Sequence, residues 1–230
     1  MNYNNYDIII VLDAMRYDIG NDVLTSSLQG NCQSFNTTCN ATFQWYNKFW
    51  NQKTDFTLIS ENPMPWTKAT NFASKNFKTA IMTTSISPEK TLNLIKGQSE
   101  PILLHLIPPH LPFIYGEGKV LCDKLKQKHQ NIYLAIQTWG RQKGFKKLKI
   151  YYKEQIEQTV KILKANCEIF VNKRVLITSD HGELLGWNNY QYDHPHAATG
   201  KKAEILQNVP WFEWNIEAEL IQKRLQELGY

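Results

Sequence analysis

No apolar run in this chain approaches the about eighteen residues that a membrane-crossing helix requires, so no stretch reads as one. The opening MNYNNYD has neither the basic nor the apolar region of a secretory signal, and the expected location is therefore cytoplasmic. Cysteine is sparse. Cys32, Cys39, Cys122 and Cys167 form no CxxC pair and no regular framework, which argues against a zinc ribbon or a disulfide scaffold and predicts reduced thiols. Internal repeats and low-complexity tracts are absent as well. What remains is the composition of a soluble globular chain, 42% hydrophobic and 20% charged, whose 230 residues can bury a full core and suit one α/β domain better than two.

The net charge of +5 is unevenly spread, with Lys124, Lys126, Lys128, Arg141, Lys143, Lys146, Lys147 and Lys149 in one segment. Such a run can attract phosphate-rich partners or simply form a solvated helical face. No aromatic and glycine pattern of an RNA-binding module accompanies it, so the solvated face is the favoured reading and the nucleic-acid signal is weak.

The most informative stretch runs from Arg174 to His196, RVLITSDHGELLGWNNYQYDHPH. Val175, Leu176 and Ile177 form a short apolar run of the kind a parallel sheet covers on both faces, and Ser179 and Asp180 break it. Asp180, His181 and Glu183 cluster where that strand stops, the end at which open α/β sheets place ligands. Gly182 between them allows a sharp turn. His194 and His196 follow, so three of the six histidines fall within one stretch of sixteen residues, and the Asp180-His181 pair offers oxygen and nitrogen donors that suit a divalent cation. Asp, His and Gly are also ordinary turn residues, and the tripeptide alone reads equally as a loop.

A second strand ends in the same way. Asp7–Leu12, DIIIVL, is β-branched and stops at Asp13, so parallel pairing of the two strands would bring Asp13 and Asp180 to one site. Asp13 as a helix cap is the competing reading. Between Asn31 and Trp50 the chain is first hydroxyl-rich and irregular, then aromatic at helical spacing through Phe43, Tyr46, Phe49 and Trp50, which predicts a loop entering a helix near Ala41. Thr42, just inside that start, either faces an anion or serves only as a cap.

Phe56–Ser60, Thr79–Thr83 and Pro101–Ile107 are further strand candidates, and their alternation with helical signals predicts an α/β sandwich. His105 lies inside the last of these and reads as a core residue, whereas His110 sits in the proline-stiffened loop PPHLPF. Leu148, Tyr152, Ile156, Val160, Leu163 and Cys167 give an amphipathic helix over Lys146–Cys167. Val209–Trp214 reads as an edge strand because of its proline, and a closing helix carries Ile216, Leu220, Leu225 and Leu228.

The stretches DIIIVLDAMRYD, HLIPPHLPF, ITSDHGELLG, DHP and VPWFEW, in that order, resemble the sulfatase-like branch of the alkaline phosphatase superfamily. The resemblance implies a three-layer α/β/α sandwich with a mostly parallel central sheet over residues 1–230, lacking the C-terminal subdomain of longer sulfatases. It implies hydrolysis or transfer of a phosphate ester by a metal-activated nucleophile. Carried over by position, Asp13, Asp180 and His181 would bind the metal and Thr42 would be the nucleophile, with Thr37, Thr38 and Ser34 as rivals in the same stretch. His110 and His194 would contact the transferred group or protonate the leaving group. Arg16, His105 and His196 would bind substrate, Arg16 by supporting the first carboxylate. The implied cofactor is a divalent metal, with manganese or zinc fitting best and magnesium or calcium compatible. The implied partner is a small-molecule, glycan or lipid phosphate ester. Two departures refine this picture: the CxPxR motif that makes formylglycine is absent, which disfavours sulfate esters, and Ala14 replaces the second acid of the sulfatase Asp-Asp pair, which suggests one metal. The loss at Ala14 also keeps open a catalytically silent domain that binds a phosphorylated ligand or a protein.

Overall fold

The computed structural model describes residues 2–67, 71–187, 191–193 and 195–228. Its strands are β1 (Ile8–Leu12), β2 (Gly30–Asn36), β3 (Thr54–Ser60), β4 (Phe77–Met82), β5 (Ile102–Leu106), β6 (Val175–Thr178), β7 (Leu184–Trp187), β8 (Gln191–Asp193) and β9 (Asn208–Trp214). Its α-helices are α1 (Tyr17–Ser27), α2 (Thr42–Phe49), α3 (Phe72–Asn76), α4 (Pro88–Asn93), α5 (Gly116–Lys126), α6 (Ile132–Lys143), α7 (Phe145–Ala165), α8 (Gly200–Gln207) and α9 (Ile216–Glu227). Seven strands form one sheet in the order β2-β9-β6-β1-β5-β3-β4, and β7 pairs antiparallel with β8 in a separate two-stranded sheet.

β1 lies at the centre because every one of its side chains is apolar and buried. Strand periodicity sends Ile8, Ile10 and Leu12 into one core, shared with Val160 and Ile156 of α7, and Ile9 and Val11 into another, shared with Trp45 and Tyr46 of α2. Helices therefore cover both faces of the sheet, the three-layer α/β/α arrangement expected. Each fully buried Ile or Leu on such a strand contributes roughly 1.5–3 kcal/mol.

The register sets the chemistry. β1 pairs in parallel with β6, Val11 opposite Thr178, and with β5, Val11 opposite His105. Extending those pairings past the strand ends brings Asp13 level with Asp180, with His105 on the neighbouring strand.

Two expectations are corrected. Val209–Trp214 is an interior strand, β9, paired antiparallel with β2 on one side and β6 on the other. Pro210 is tolerated there because β6 pairs only as far as Thr178 opposite Trp211, and the Pro210 carbonyl takes the Thr178 hydroxyl instead at 2.7 Å. The hydroxyl-rich stretch begins as the true edge strand β2, not as irregular chain. Its side chains are largely exposed, so no alternation of apolar and polar residues marks it in sequence. The amphipathic helix runs over Phe145–Ala165, and Cys167 falls in the following 3-10 turn Cys167–Phe170.

Candidate metal and active site

The turn after β1 is tightly pinned. Ala14 adopts φ +60°, a left-handed conformation that an L residue takes only when its surroundings require it. The Tyr152 hydroxyl, from α7, donates to the Ala14 carbonyl at 2.6 Å and accepts the Arg16 N–H at 2.8 Å. The Ser179 hydroxyl accepts the Met15 N–H at 2.7 Å. Asp13 is thereby fixed beside the end of β6, and the Asp180 Oδ1 atom accepts the N–H groups of Ala14 and His181, each at 3.0 Å.

Both carboxylates use one oxygen on the protein and leave the other over. Asp13 Oδ2 accepts the Asn62 side-chain amide at 2.5 Å and lies 3.4 Å from His105 Nε2. Asp13 Oδ1 and Asp180 Oδ2 are buried with no hydrogen-bond partner among the described residues. His181 donates from Nδ1 to the Gly182 carbonyl at 2.7 Å, which fixes the tautomer and turns Nε2 toward Asp180 Oδ2 at 3.5 Å and Asp13 Oδ1 at 3.9 Å. One donor atom from each of Asp13, Asp180 and His181 falls within 4.8 Å of the others, and all three residues are buried. Two buried oxygens lacking a partner beside an imidazole nitrogen fit a divalent cation, because without a positive charge between them they would repel.

Gly182 is needed for closeness, not for an unusual turn. A Cβ there would lie 2.5 Å from the Ile205 carbonyl oxygen of α8.

Thr42 is the first residue of α2, and the N-cap, Ala41, offers no side chain to the leading N–H groups. Its hydroxyl lies 3.4 Å from His181 Nε2. An uncapped helix start beside that hydroxyl favours an anion such as a phosphoryl group. His196 is exposed but anchored over the same helix start: its carbonyl accepts Asn40 Nδ2 at 3.0 Å and Gln44 Nε2 at 3.1 Å, and its ring meets Phe43 edge-on with centroids 4.8 Å apart. His110 is buried at the other side of the site, where Nδ1 donates to the Leu111 carbonyl at 2.8 Å and Nε2 lies 4.0 Å from Glu183 Oε2. His194 lies outside the described residues.

Two expected placements differ. Arg16 does not turn toward Asp13, since its guanidinium is forked on Asp18 at 2.8 and 2.7 Å, two residues along the same turn. His105 is fully sealed from solvent, with Nδ1 3.0 Å from the Tyr46 hydroxyl and Nε2 3.4 Å from Asp13 and 4.0 Å from Asp180, so it faces the ligand carboxylates. Burial disfavours its charged form, but the carboxylates of Asp13, Asp180 and Glu61 outweigh this and raise its pKa. Burial likewise opposes ionisation of Asp13, but the imidazoles of His110, His105 and His181 prevail and hold its carboxyl well below the usual range.

Asn62 and Tyr46 carry parts of the site that the sequence reading did not assign. Asn62 follows β3 much as Asp13 follows β1, so the rule that polar residues at strand ends converge would have found it. Tyr46 was visible only as one aromatic among several on a helix. Glu183, seen within the DHGE stretch but given no role, is buried opposite His110.

No family model matches the chain. No curated protein matches it. Its fold is an α/β/α sandwich shared with solved phosphoethanolamine transferase domains. The C-terminal periplasmic domain of phosphoethanolamine transferase EptC from Campylobacter jejuni superposes with a TM-score of 0.61 at 16% identity, over 94% of this chain and 80% of that one. The soluble domain of lipooligosaccharide phosphoethanolamine transferase A from Neisseria meningitidis gives 0.52 at 14% identity, over 90% and 75%. The C-terminal periplasmic domain of EptC from Escherichia coli gives 0.51 at 14% identity, over 92% and 73%. At such identities the likeness is one of fold. No helix among the described residues is long and apolar enough to cross a membrane.

Proposed function

We propose that this chain is a metal-dependent enzyme acting on phosphate esters, as a hydrolase or a transferase, with Thr42 as its nucleophile. The observation that carries this reading is the approach of Thr42 Oγ1 to His181 Nε2, 3.4 Å apart, beside two carboxylates that each hold one buried oxygen without a partner. Asp13, Asp180 and His181 would hold the cation, and their oxygen and nitrogen donors suit manganese or zinc. When bound, such an ion lowers the pKa of a neighbouring hydroxyl and offsets charge on the transferred group. That the fold neighbours include phosphoethanolamine transferases supports a phosphate ester as substrate.

Thr42 gives up its hydroxyl proton to water and its Oγ1 forms a bond to phosphorus while the ester P–O bond breaks, giving a phosphothreonine. The first N–H groups of α2 stabilise the phosphoryl oxygens from the uncapped helix start. The departing oxygen takes a proton from an imidazole, His110 from within the site or His194. Water or an acceptor hydroxyl then attacks the phosphothreonine and releases Thr42. The substrate is a small-molecule, glycan or lipid phosphate ester.

Parallel assays with an aryl phosphate, an aryl phosphodiester and an aryl sulfate in the presence of manganese or zinc test the reading. Turnover of one or both phosphate compounds is expected. Turnover of the sulfate alone would overturn it, and a protein that binds the metal yet cleaves none of the three would favour a silent binding domain.

A further inference from the structure

We propose that the surface built by α5, α6 and the first turns of α7 docks this protein onto a bilayer rich in anionic phospholipid. Residues 116–150 carry eight lysines and Arg141 against only Glu117 and Asp123, while the whole chain is +5, so this stretch holds more than the entire positive excess. Asp123 is paired with Lys119, and Glu117 accepts the Tyr151 hydroxyl at 3.0 Å. Apart from Lys119, none of these cations has an ion-pair partner among the described residues. All nine cations are exposed to solvent.

Charge alone would describe an ordinary solvated face. The second observation is apolar. Each of the three helices also exposes one large aliphatic side chain: Val120 is 52% exposed, Leu134 60% and Ile150 57%. These are not strays from the core, because the buried faces of the helices are formed by other residues, among them Cys122, Ile136 and Leu148. Helical spacing puts a cation on the same face as each one. Lys124 follows Val120 by four residues, Lys146 and Lys147 precede Ile150 by four and three, and Arg141 lies two turns beyond Leu134. Aliphatic side chains that enter the acyl boundary, ringed by lysines that reach anionic headgroups, are what an interfacial helical surface requires. A nucleic acid would match the charge but offers nothing to the aliphatic side chains.

The surface adjoins the candidate site. The Tyr133 hydroxyl, in the first turn of α6, lies 3.4 Å from the Leu111 carbonyl, and its ring centroid is 5.5 Å from that of His110. Docking through α6 would hold the site close to phosphate esters presented in the bilayer. The docking itself is independent of catalysis.

The test is co-sedimentation of the full chain with vesicles of phosphatidylcholine alone and with vesicles containing about one third phosphatidylglycerol. Binding only to the anionic vesicles, weakening as salt rises, is expected. Substituting Lys124→Gln, Lys146→Gln and Lys147→Gln together should lower the partition coefficient roughly 100-fold. Leu134→Ser should weaken binding while leaving its salt dependence in place. Equal binding to both vesicle types, no binding to either, or an unchanged partition for the triple variant would overturn the proposal. So would retention of a DNA duplex under conditions where anionic vesicles do not pellet. If vesicles bind but no phosphate ester is cleaved, the docking stands and the catalytic reading fails; turnover of a soluble aryl phosphate without vesicle binding is the converse.

Discussion

The imidazole of His181 presents Nε2 to Thr42, 3.4 Å from the hydroxyl oxygen, because its Nδ1 is held by the Gly182 carbonyl at 2.7 Å. That single backbone bond decides which nitrogen faces the two carboxylates. It also explains why the site belongs to the end of β6: the residue after Asp180 must carry the ring, and the next must supply the carbonyl while letting α8 approach.

Replacing Asp180 by Ala removes the oxygen that faces His181 and frees the N–H groups of Ala14 and His181 from their acceptor. Wild-type protein should bind about one divalent ion per chain and the variant close to none. Elemental analysis of both after dialysis against manganese or zinc measures this, and equal metal content would remove Asp180 from the ligand set.

Asn62 is expected to act through Asp13. Its amide holds Oδ2 at 2.5 Å, so that Oδ1 is the oxygen left for a cation. Asn62→Ala should weaken metal affinity by about 10–100-fold, the usual effect of losing a group that orients a ligand. Isothermal titration with the metal provides the measurement, and unchanged affinity would show that Asp13 is oriented without it.

A pH-dependent prediction comes from the opposite end of the sheet. Asp7 accepts the Arg174 backbone N–H at 2.8 Å and its guanidinium at 3.2 Å, locking the start of β1 to that of β6. The hydrogen bonds from Arg174 outweigh partial burial and lower the Asp7 pKa below its ordinary 3.8. A carboxyl whose folded pKa is depressed contributes stability above its unfolded pKa and loses it as pH falls through the folded value. Asp7→Asn should therefore lower the urea midpoint at neutral pH and make little difference in acid below the ordinary aspartate range. A penalty that grew on acidification would contradict the pairing.

The legible parts of this molecule are those in which burial and chemistry leave a local mark. β1 and β6 announce themselves as short apolar runs, and Asp13 stands out because it follows such a run directly, Asp180 because only Ser179 separates it from the end of one. β2 was misread because an exposed edge strand has no apolar face to alternate, and β9 was misplaced because its proline is accommodated where β6 has already ended. The resemblance implies that Arg16 supports Asp13, but Asp18, two residues along the same turn, captures its guanidinium. Asn62 carries the same mark as Asp13, a polar residue just past a strand end, whereas Tyr46 depends on the packing that brings α2 to the end of β1, a relationship of topology that no local pattern encodes.

The remaining prediction concerns the nucleophile, for which the same stretch supplies several hydroxyls. Ser34 lies within edge strand β2. Thr37 accepts the Cys39 N–H at 3.1 Å and lies 3.2 Å from the Gln207 carbonyl, and Thr38 is engaged by the Lys48 ammonium. Thr42 is the hydroxyl of this group that meets His181, and it does so at a helix start with no capping side chain. Thr42→Ala should reduce turnover about 10⁴- to 10⁶-fold. Metal content should stay near that of wild type, because Asp13, Asp180 and His181 remain, and the loss of the Thr42 contact to the buried His181 Nε2 should cost no more than about 1–3 kcal/mol of stability. Thr42→Ser, which keeps the hydroxyl, should retain measurable activity. Mass spectrometry of wild-type protein quenched during turnover should find the added phosphoryl group on the peptide containing Thr42. Its appearance on a peptide containing only Thr37 or Thr38 would move the nucleophile, and a fully active Thr42→Ala protein would eliminate covalent catalysis by this residue altogether.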